Sequence, residues 1–376
     1  MRVLDLSRLL PGPYCSRILA DYGFEVIKVE PPGGGDWSRY VPPLDPENGQ
    51  GFLFNALNRG KKSLTANLKT DEGRVILLRL VETTDVILDT FRPGVMERLE
   101  LGYDTLSQAN PRLIYCTLSG YGQRGPYRER AGHDLNYQAL AGLVDLTGPR
   151  NGPPAMPGVP LADLSGALWA ASGILMALLE RERSGRGQRV DSSLLGGALS
   201  LLPLAAAQAR GGQPPVRGAG ELTGGVVCYN LYETQGGGTM ALSALEPQFW
   251  SAFCQAVGRG DLSGHQYAPA LTGEPAYDEL CALFRSKTQK EWQELLSGVD
   301  ACCDPVYNVE EALASAPVQA LEMLSEEGLR PPVQFSGQPV GAATKAPLLG
   351  EHTAEVLSEL GFDTADVEAL REQGIV

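Results

Sequence analysis

Basic residues are scarce in this chain: 31 Lys and Arg stand against 45 Asp and Glu, a net charge of −14 over 376 residues. That balance excludes general nucleic-acid binding, which needs a basic face to neutralise phosphates. An anionic ligand must instead meet a local cluster of cations. Histidine is scarcer still, with three residues, His133, His265 and His352, far apart in the chain. No helical spacing pairs two of them, so no metal site is expected. The seven cysteines are odd in number and show no C-x-x-C spacing, which argues against a disulfide framework or a zinc site. The adjacent Cys302 and Cys303 read as packed thiols, because buried cysteine behaves as a small apolar residue. The opening MRVLDLSRLL has no apolar run with a small-residue cleavage site, and no uninterrupted apolar stretch reaches spanning length. A soluble, cytoplasmic protein with no membrane partner is therefore expected. Internal repeats and low-complexity tracts are absent as well.

What is present is enough chain for two domains, each able to bury its own interior. Residues 3–6 read as a short apolar strand, 11–22 carry helical spacing, and 25–29 alternate toward a second strand. Pro13 suits a helix start, where its missing N–H would have no partner anyway. This β-α-β opening lacks the G-x-G-x-x-G of a dinucleotide site, for its turn reads SRLLPGPYCS. Nicotinamide or flavin chemistry is thus disfavoured despite the topology. Helix-spaced residues 71–81, the apolar DVILDT, the short helix after Pro93 and RLIYCTLSGYG continue the alternation. Such alternation predicts an α/β fold with a parallel sheet and a ligand at its carboxyl ends. A long apolar helix follows Asp163 and stops at Gly185 and Gly187. The Gly/Pro-rich residues 211–225 form a linker, and beyond it a hairpin turning at 236–238 and several amphipathic helices predict a smaller α+β domain.

Two features carry chemistry. The run NALNRGKKSLTANLKT holds Arg59, Lys61, Lys62 and Lys69 with no acid among them. In an acidic protein it is either a solvated basic edge or a phosphate cradle. Residues 131–163 hold His133 and end on Asp163, an imidazole and a carboxylate closing one segment. Each has a bland alternative. A lone histidine is often structural, and Asp163, just before a helix, is well placed to cap it.

The segments GPYCSRILADYGFEVIKVEPPGGGD, FRPGVMERLELG, LIYCTLSGYGQRGP, AGHDLNY, PLADLSGALWAASGILMALLERERSGRGQRVD, LEPQFW and APLLGEHTAEVLSELGF occur in one order over almost the whole chain. Together they resemble the family III CoA-transferase (CaiB/BaiF) superfamily and, within it, the α-methylacyl-CoA racemases. AGHDLNY is the segment that separates racemase-like members from transferases. The resemblance implies a Rossmann-like large domain built from both chain ends, residues 1–210 and 331–376, and a small domain at 226–330. It also implies a homodimer of two interlocked subunits, with each site between the large domain of one subunit and the small domain of the other.

By the same resemblance His133 and Asp163 match two catalytic positions, and Glu246 matches a carboxylate that assists the histidine. Taken alone, Glu246 could equally be a first-turn acid beside Pro247. Arg39, Arg92 and Arg98 fall in motifs that surround CoA, and Arg59, Lys61 and Lys62 in a loop that favours the phosphate-cradle reading. The implied reaction interconverts (R)- and (S)-2-methylacyl-CoA thioesters. It needs no prosthetic group or metal, the CoA moiety being carried by the substrate. One base removes the C2 proton, an enolate forms, and the other base returns a proton to the opposite face. The backbone N–H of Asp134 is available to the thioester oxygen, although Asp134 itself reads as structural. The rival reaction is CoA transfer between carboxylic acids with Asp163 as nucleophile. A CoA-ester binding protein without chemistry would need a missing base, and both bases are present.

Overall fold

The structure is a computed structural model that describes every residue except Glu327, Gln338, Pro339, Ala342 and Ala343. Those five lie within the 226–330 and 331–376 segments named above, outside the described residues. Two compact units emerge. The first comprises residues 1–141, 158–201 and 320–376, the second residues 142–157 and 202–319. The sequence boundaries place 142–157 and 202–210 in the large domain and 320–330 in the small one, whereas the units divide at 141, 157, 201 and 319. Arg217 shows why 142–157 associates with the second unit: its Nη2 bonds Asp145 Oδ1 at 2.7 Å, its Nε bonds the Asp145 carbonyl at 2.5 Å, and its Nη1 bonds the Gly152 carbonyl.

The first unit is built on six parallel strands: β1 Arg2–Asp5, β2 Glu25–Glu30, β3 Lys61–Thr65, β4 Val86–Asp89, β5 Ile114–Ser119 and β6 Arg189–Ser193. Their spatial order is β3-β2-β1-β4-β5-β6, and each neighbouring pair is parallel. The chain adds β2 and β3 on one side of β1, then crosses to β4 on the other. The loops after β1 and β4 therefore diverge and leave a crevice. The helices of this unit are α1 Pro11–Asp21, α2 Phe52–Asn58, α3 Asp71–Val81, α4 Val95–Arg98, α5 Tyr103–Ala109 and α6 Asp134–Ala141. After the short α7, Leu143–Leu146 in the second unit, come α8 Leu161–Ser184 and α9 Leu194–Ser200. Strands β2, β4 and β5 are buried almost throughout; β4 and β5 are largely apolar, while β2 alternates and its Lys28 and Glu30 are buried in ion pairs.

Strand β3 was not foreseen, because a strand opening on two lysines looks like surface. The pleat separates them. Lys61 turns inward and is buried, while the half-buried Lys62 pairs with Glu25 and Glu355. Helix α8 has the length and mean hydropathy, 1.5, of a membrane span, but half of that stretch is buried inside the protein. Gly166 and Gly197 let α8 and α9 cross closely, since a Cβ on Gly197 would lie 2.5 Å from the Gly166 nitrogen.

The second unit contains α10 Pro203–Arg210 and an antiparallel three-stranded sheet of β7 Tyr229–Glu233, β8 Thr239–Ser243 and β9 Cys303–Pro305. Helices α11 Pro247–Ala256, α12 Pro275–Phe284, α13 Gln289–Leu296 and α14 Val309–Ala314 complete its main body. Its core is aromatic. Tyr232 stacks on Phe284 at 4.6 Å, and Phe253 and Trp292 pack on the same ring.

Candidate active site

A cavity of about 310 Å³ opens at the crevice of the parallel sheet, with all its lining drawn from the first unit. Arg8, Leu9 and Pro11 come from the loop after β1, residues 90–93 from the loop after β4, and Ser119 and Gly120 from the end of β5. His133, Asp134, Tyr137 and Asp163 supply the wall opposite. The structure thus brings His133 and Asp163 into one cavity from 30 residues apart in sequence.

His133 occupies the N-cap position of α6. Its carbonyl accepts from Asn136 N at 2.8 Å, and its own N–H donates to Asn136 Oδ1 at 3.0 Å. The side chain is exposed, and its imidazole bonds no other described residue. Tyr137 holds the loop before it by donating to the Gly132 carbonyl at 2.7 Å. Only glycine fits at 120 and 132, where a Cβ would lie 2.3 and 2.9 Å from the Tyr137 side chain.

Asp163 is not the cap of its helix; it lies in the first turn of α8. The cap comes from Asp134, whose Oδ1 accepts from Ala162 N at 2.9 Å and Asp163 N at 3.1 Å. Gln138 Nε2 holds the other oxygen of Asp134. Burial, and next the charge of Asp134, push the Asp163 carboxyl up to about 7. A carboxylate tuned to that range can both take and return a proton near neutrality. Burial first of all, with Asp163 adding to it, also pushes the Tyr137 phenol up to about 12.

The basic residues expected around a phosphate are placed in two different ways. Arg92 lines the cavity, as do Arg8, Arg128 and Arg130, which the sequence reading did not single out. Arg98 is exposed at the end of α4, with its Nη1 lying over Gly94. Arg39, Arg59 and Lys61 are buried, and their charge is taken up inside the protein. Arg39 meets Glu30 in a bidentate pair of 2.9 and 2.6 Å and lies 3.8 Å over the Phe54 ring. Arg59 pairs with Asp21 at 3.0 Å, and Lys61 with Asp5 at 3.0 Å. The Lys61 amine also reaches Ser16 and Asn58, each at 2.8 Å, and burial lowers its pKa to about 8.

This buried set supports the cavity from below. Asp5 accepts from Ser7 N at 2.9 Å, Lys28 donates to the Ser7 carbonyl at 2.8 Å, and Lys28 pairs with Asp36 at 3.0 Å. Asp36 in turn accepts from Leu9 N at 3.1 Å. Leu9 is thereby held at φ 66, left-handed backbone that a leucine rarely adopts, where it lines the cavity. Glu246 belongs to the second unit. It is exposed, precedes α11, and acts electrostatically there on Cys302 and Tyr267.

The model of CoA-transferase family III matches residues 1–353. The chain belongs to that family. It is 38% identical to the mouse protein named alpha-methylacyl-CoA racemase, over all of this chain and 96% of that one. It is 37% identical to an acyl-CoA transferase of Fusarium pseudograminearum, over all of this chain and 87% of that one. The fold is that of a CaiB/BaiF family protein from Brucella suis, with a TM-score of 0.84, 31% identity, and coverage of 96% of this chain and 98% of the other. Family III membership makes the chain an enzyme of the transferase and racemase superfamily. Because a racemase and a transferase stand at nearly equal identity, the choice of reaction rests on the site.

Proposed function

We propose that the chain is a racemase that interconverts (R)- and (S)-2-methylacyl-CoA thioesters by proton transfer between His133 and Asp163. The observation that carries this reading is the shared cavity, in which an exposed imidazole and a carboxyl raised to about 7 are both available to one substrate. A transferase nucleophile would need Asp163 alone. The racemase also uses His133 as the second base, so that one group takes the C2 proton while the other returns one to the opposite face. The enolate between those steps needs a donor at the thioester oxygen. The N–H of Asp134, in the first turn of α6, has no acceptor within its own helix and serves there.

The ligand's anionic part is assigned to Arg8 and Arg92, at the carboxyl ends of β1 and β4. Arg8 lies over the Phe91 ring at 5.4 Å, and these two residues also line a second cavity of about 200 Å³. Leu6, Val29, Leu68 and Leu99 make that space largely apolar; Lys69 also lines it, as does Glu30, whose carboxylate is held by Arg39. An apolar slot beside a lysine suits a flat base carrying a phosphate. In this reading CoA enters as part of the substrate rather than as a prosthetic group.

The second reading is acyl-CoA:carboxylate CoA transfer with Asp163 as nucleophile, favoured by the identity to the Fusarium protein. One experiment separates the two: a single epimer of a 2-methylacyl-CoA is incubated with the protein in heavy water. Racemisation with deuterium gained at C2, reduced about 10²-fold or more in His133→Ala and in Asp163→Ala, is the expected result. Movement of CoA to an added carboxylic acid without C2 exchange would assign the transferase.

We also propose a homodimer, in which Glu246 of one copy meets His133 of the other. Helix α8 supports an interface between copies through exposed Leu168, Trp169, Met176 and Leu179, and Leu135 and Leu140 of α6 are exposed as well.

A further inference from the structure

We infer that Ser119 is a substrate-contacting residue whose hydroxyl donates a hydrogen bond to the thioester carbonyl oxygen. The inference rests on the acyl-CoA reading of the cavity and adds a donor to it. Ser119 ends β5, is 6% exposed and lines the cavity. Its Oγ is enclosed yet has no hydrogen-bond partner among the described residues. Tyr121 carries a second unpartnered hydroxyl but does not line the cavity, and the hydroxyls of Thr117 and Ser193 are engaged. Thr117, on the same face of β5, bonds the Val190 carbonyl at 3.4 Å. Ser193, opposite Ser119 across the β5–β6 ladder, caps α9 by accepting from Gly196 N at 3.0 Å. A buried hydroxyl without a protein partner is uncommon and unfavourable, and one in the wall of a cavity finds its partner in what the cavity binds.

Its surroundings select the atom it meets. Gly120, the next residue, packs against the Tyr137 hydroxyl on the helix that begins after His133, since a Cβ there would lie 2.3 Å from it. Leu118, the residue before, faces Gly166, one turn along α8 from Asp163; a Cβ on Gly166 would lie 3.5 Å from Leu118 Cδ1. Through Gly120 and Leu118 the end of β5 is therefore packed against both elements that carry the bases, whereas Arg8 and Arg92 lie in the loops after β1 and β4. A neutral donor in the same cavity as two bases that act on C2 suits the carbonyl oxygen of the adjoining thioester carbon, where negative charge develops.

The test uses a 2-methylacyl-CoA labelled with ¹³C at the thioester carbonyl, bound to wild-type protein, Ser119→Ala and Ser119→Thr. Infrared difference spectra should place the bound carbonyl at lower wavenumber in the wild type than in Ser119→Ala, with Ser119→Thr restoring the wild-type position. In the exchange assay Ser119→Ala should lose roughly tenfold to hundredfold in kcat with little change in KM. Its Tm should stay level or rise, because an unpaired polar atom has been removed. An unchanged carbonyl band, or a rise in KM alone, would overturn the proposal. A band shift in a protein whose wild type shows no C2 exchange would keep Ser119 as the donor and remove the racemase reading.

Discussion

At the scale of single residues, the proposed chemistry turns on Asp134, which does two things at once. Its carboxylate caps α8 and its charge helps raise the neighbouring Asp163 carboxyl to about 7. Asp134→Asn keeps an acceptor for the α8 amides but removes the like charge. The pKa of Asp163 then falls, and the acidic limb of kcat/KM against pH moves to lower pH in the direction where Asp163 is the base. The move is only partial, because burial, the larger cause, persists; it amounts to roughly one pH unit or less. An unmoved limb would show that Asp163 is not the group seen in the profile. In the proposed two-base reaction the profile reports apparent values of the His133 and Asp163 pair. Sequence spacing could place an acid near the start of α8, but it could not say which acid caps the helix. That depends on α6 and α8 meeting at their N-termini.

At the scale of elements, the basic run at 59–62 shows how the same residues change meaning once a strand is formed. As a loop it suggested a phosphate cradle; as the edge strand β3 and the turn before it, it sends Arg59 and Lys61 into the interior. Lys61→Met should therefore act on stability more than on substrate binding. It removes the cation paired with buried Asp5 and leaves only the charge of Lys28 nearby, a loss of about 3 kcal/mol read by chemical denaturation. A normal denaturation midpoint with a raised KM for the acyl-CoA would return Lys61 to the ligand. Because Asp5 and Lys28 anchor the loop after β1, a smaller second effect on Leu9 and the cavity is expected. Sequence alone could not separate these roles, since a lysine that pairs within the fold and one that faces a phosphate have the same local neighbours.

At the scale of the whole molecule, the outer face of α8 calls for a partner. Wild-type protein should have twice the 40.2 kDa chain mass by light scattering. Leu179→Glu combined with Met176→Glu, at positions 70% and 61% exposed, should reduce it to the monomer. A monomeric wild type would sink the homodimer. The sequence by itself determined the alternation of strands and helices, the parallel sheet, the absence of a dinucleotide fingerprint, and His133 and Asp163 as candidates. Those follow from local periodicity, turn chemistry and motif resemblance. Only the tertiary structure decided that β3 forms an edge of the sheet, that Arg39, Arg59 and Lys61 pair with buried acids of the first unit, and that Arg8 and Ser119 line the cavity. It also decided that residues 142–157 pack with the second unit. The physical reason is the same in each case: burial and charge pairing depend on strands and helices brought together from distant parts of the chain, and the spacing of residues within a segment carries no record of them.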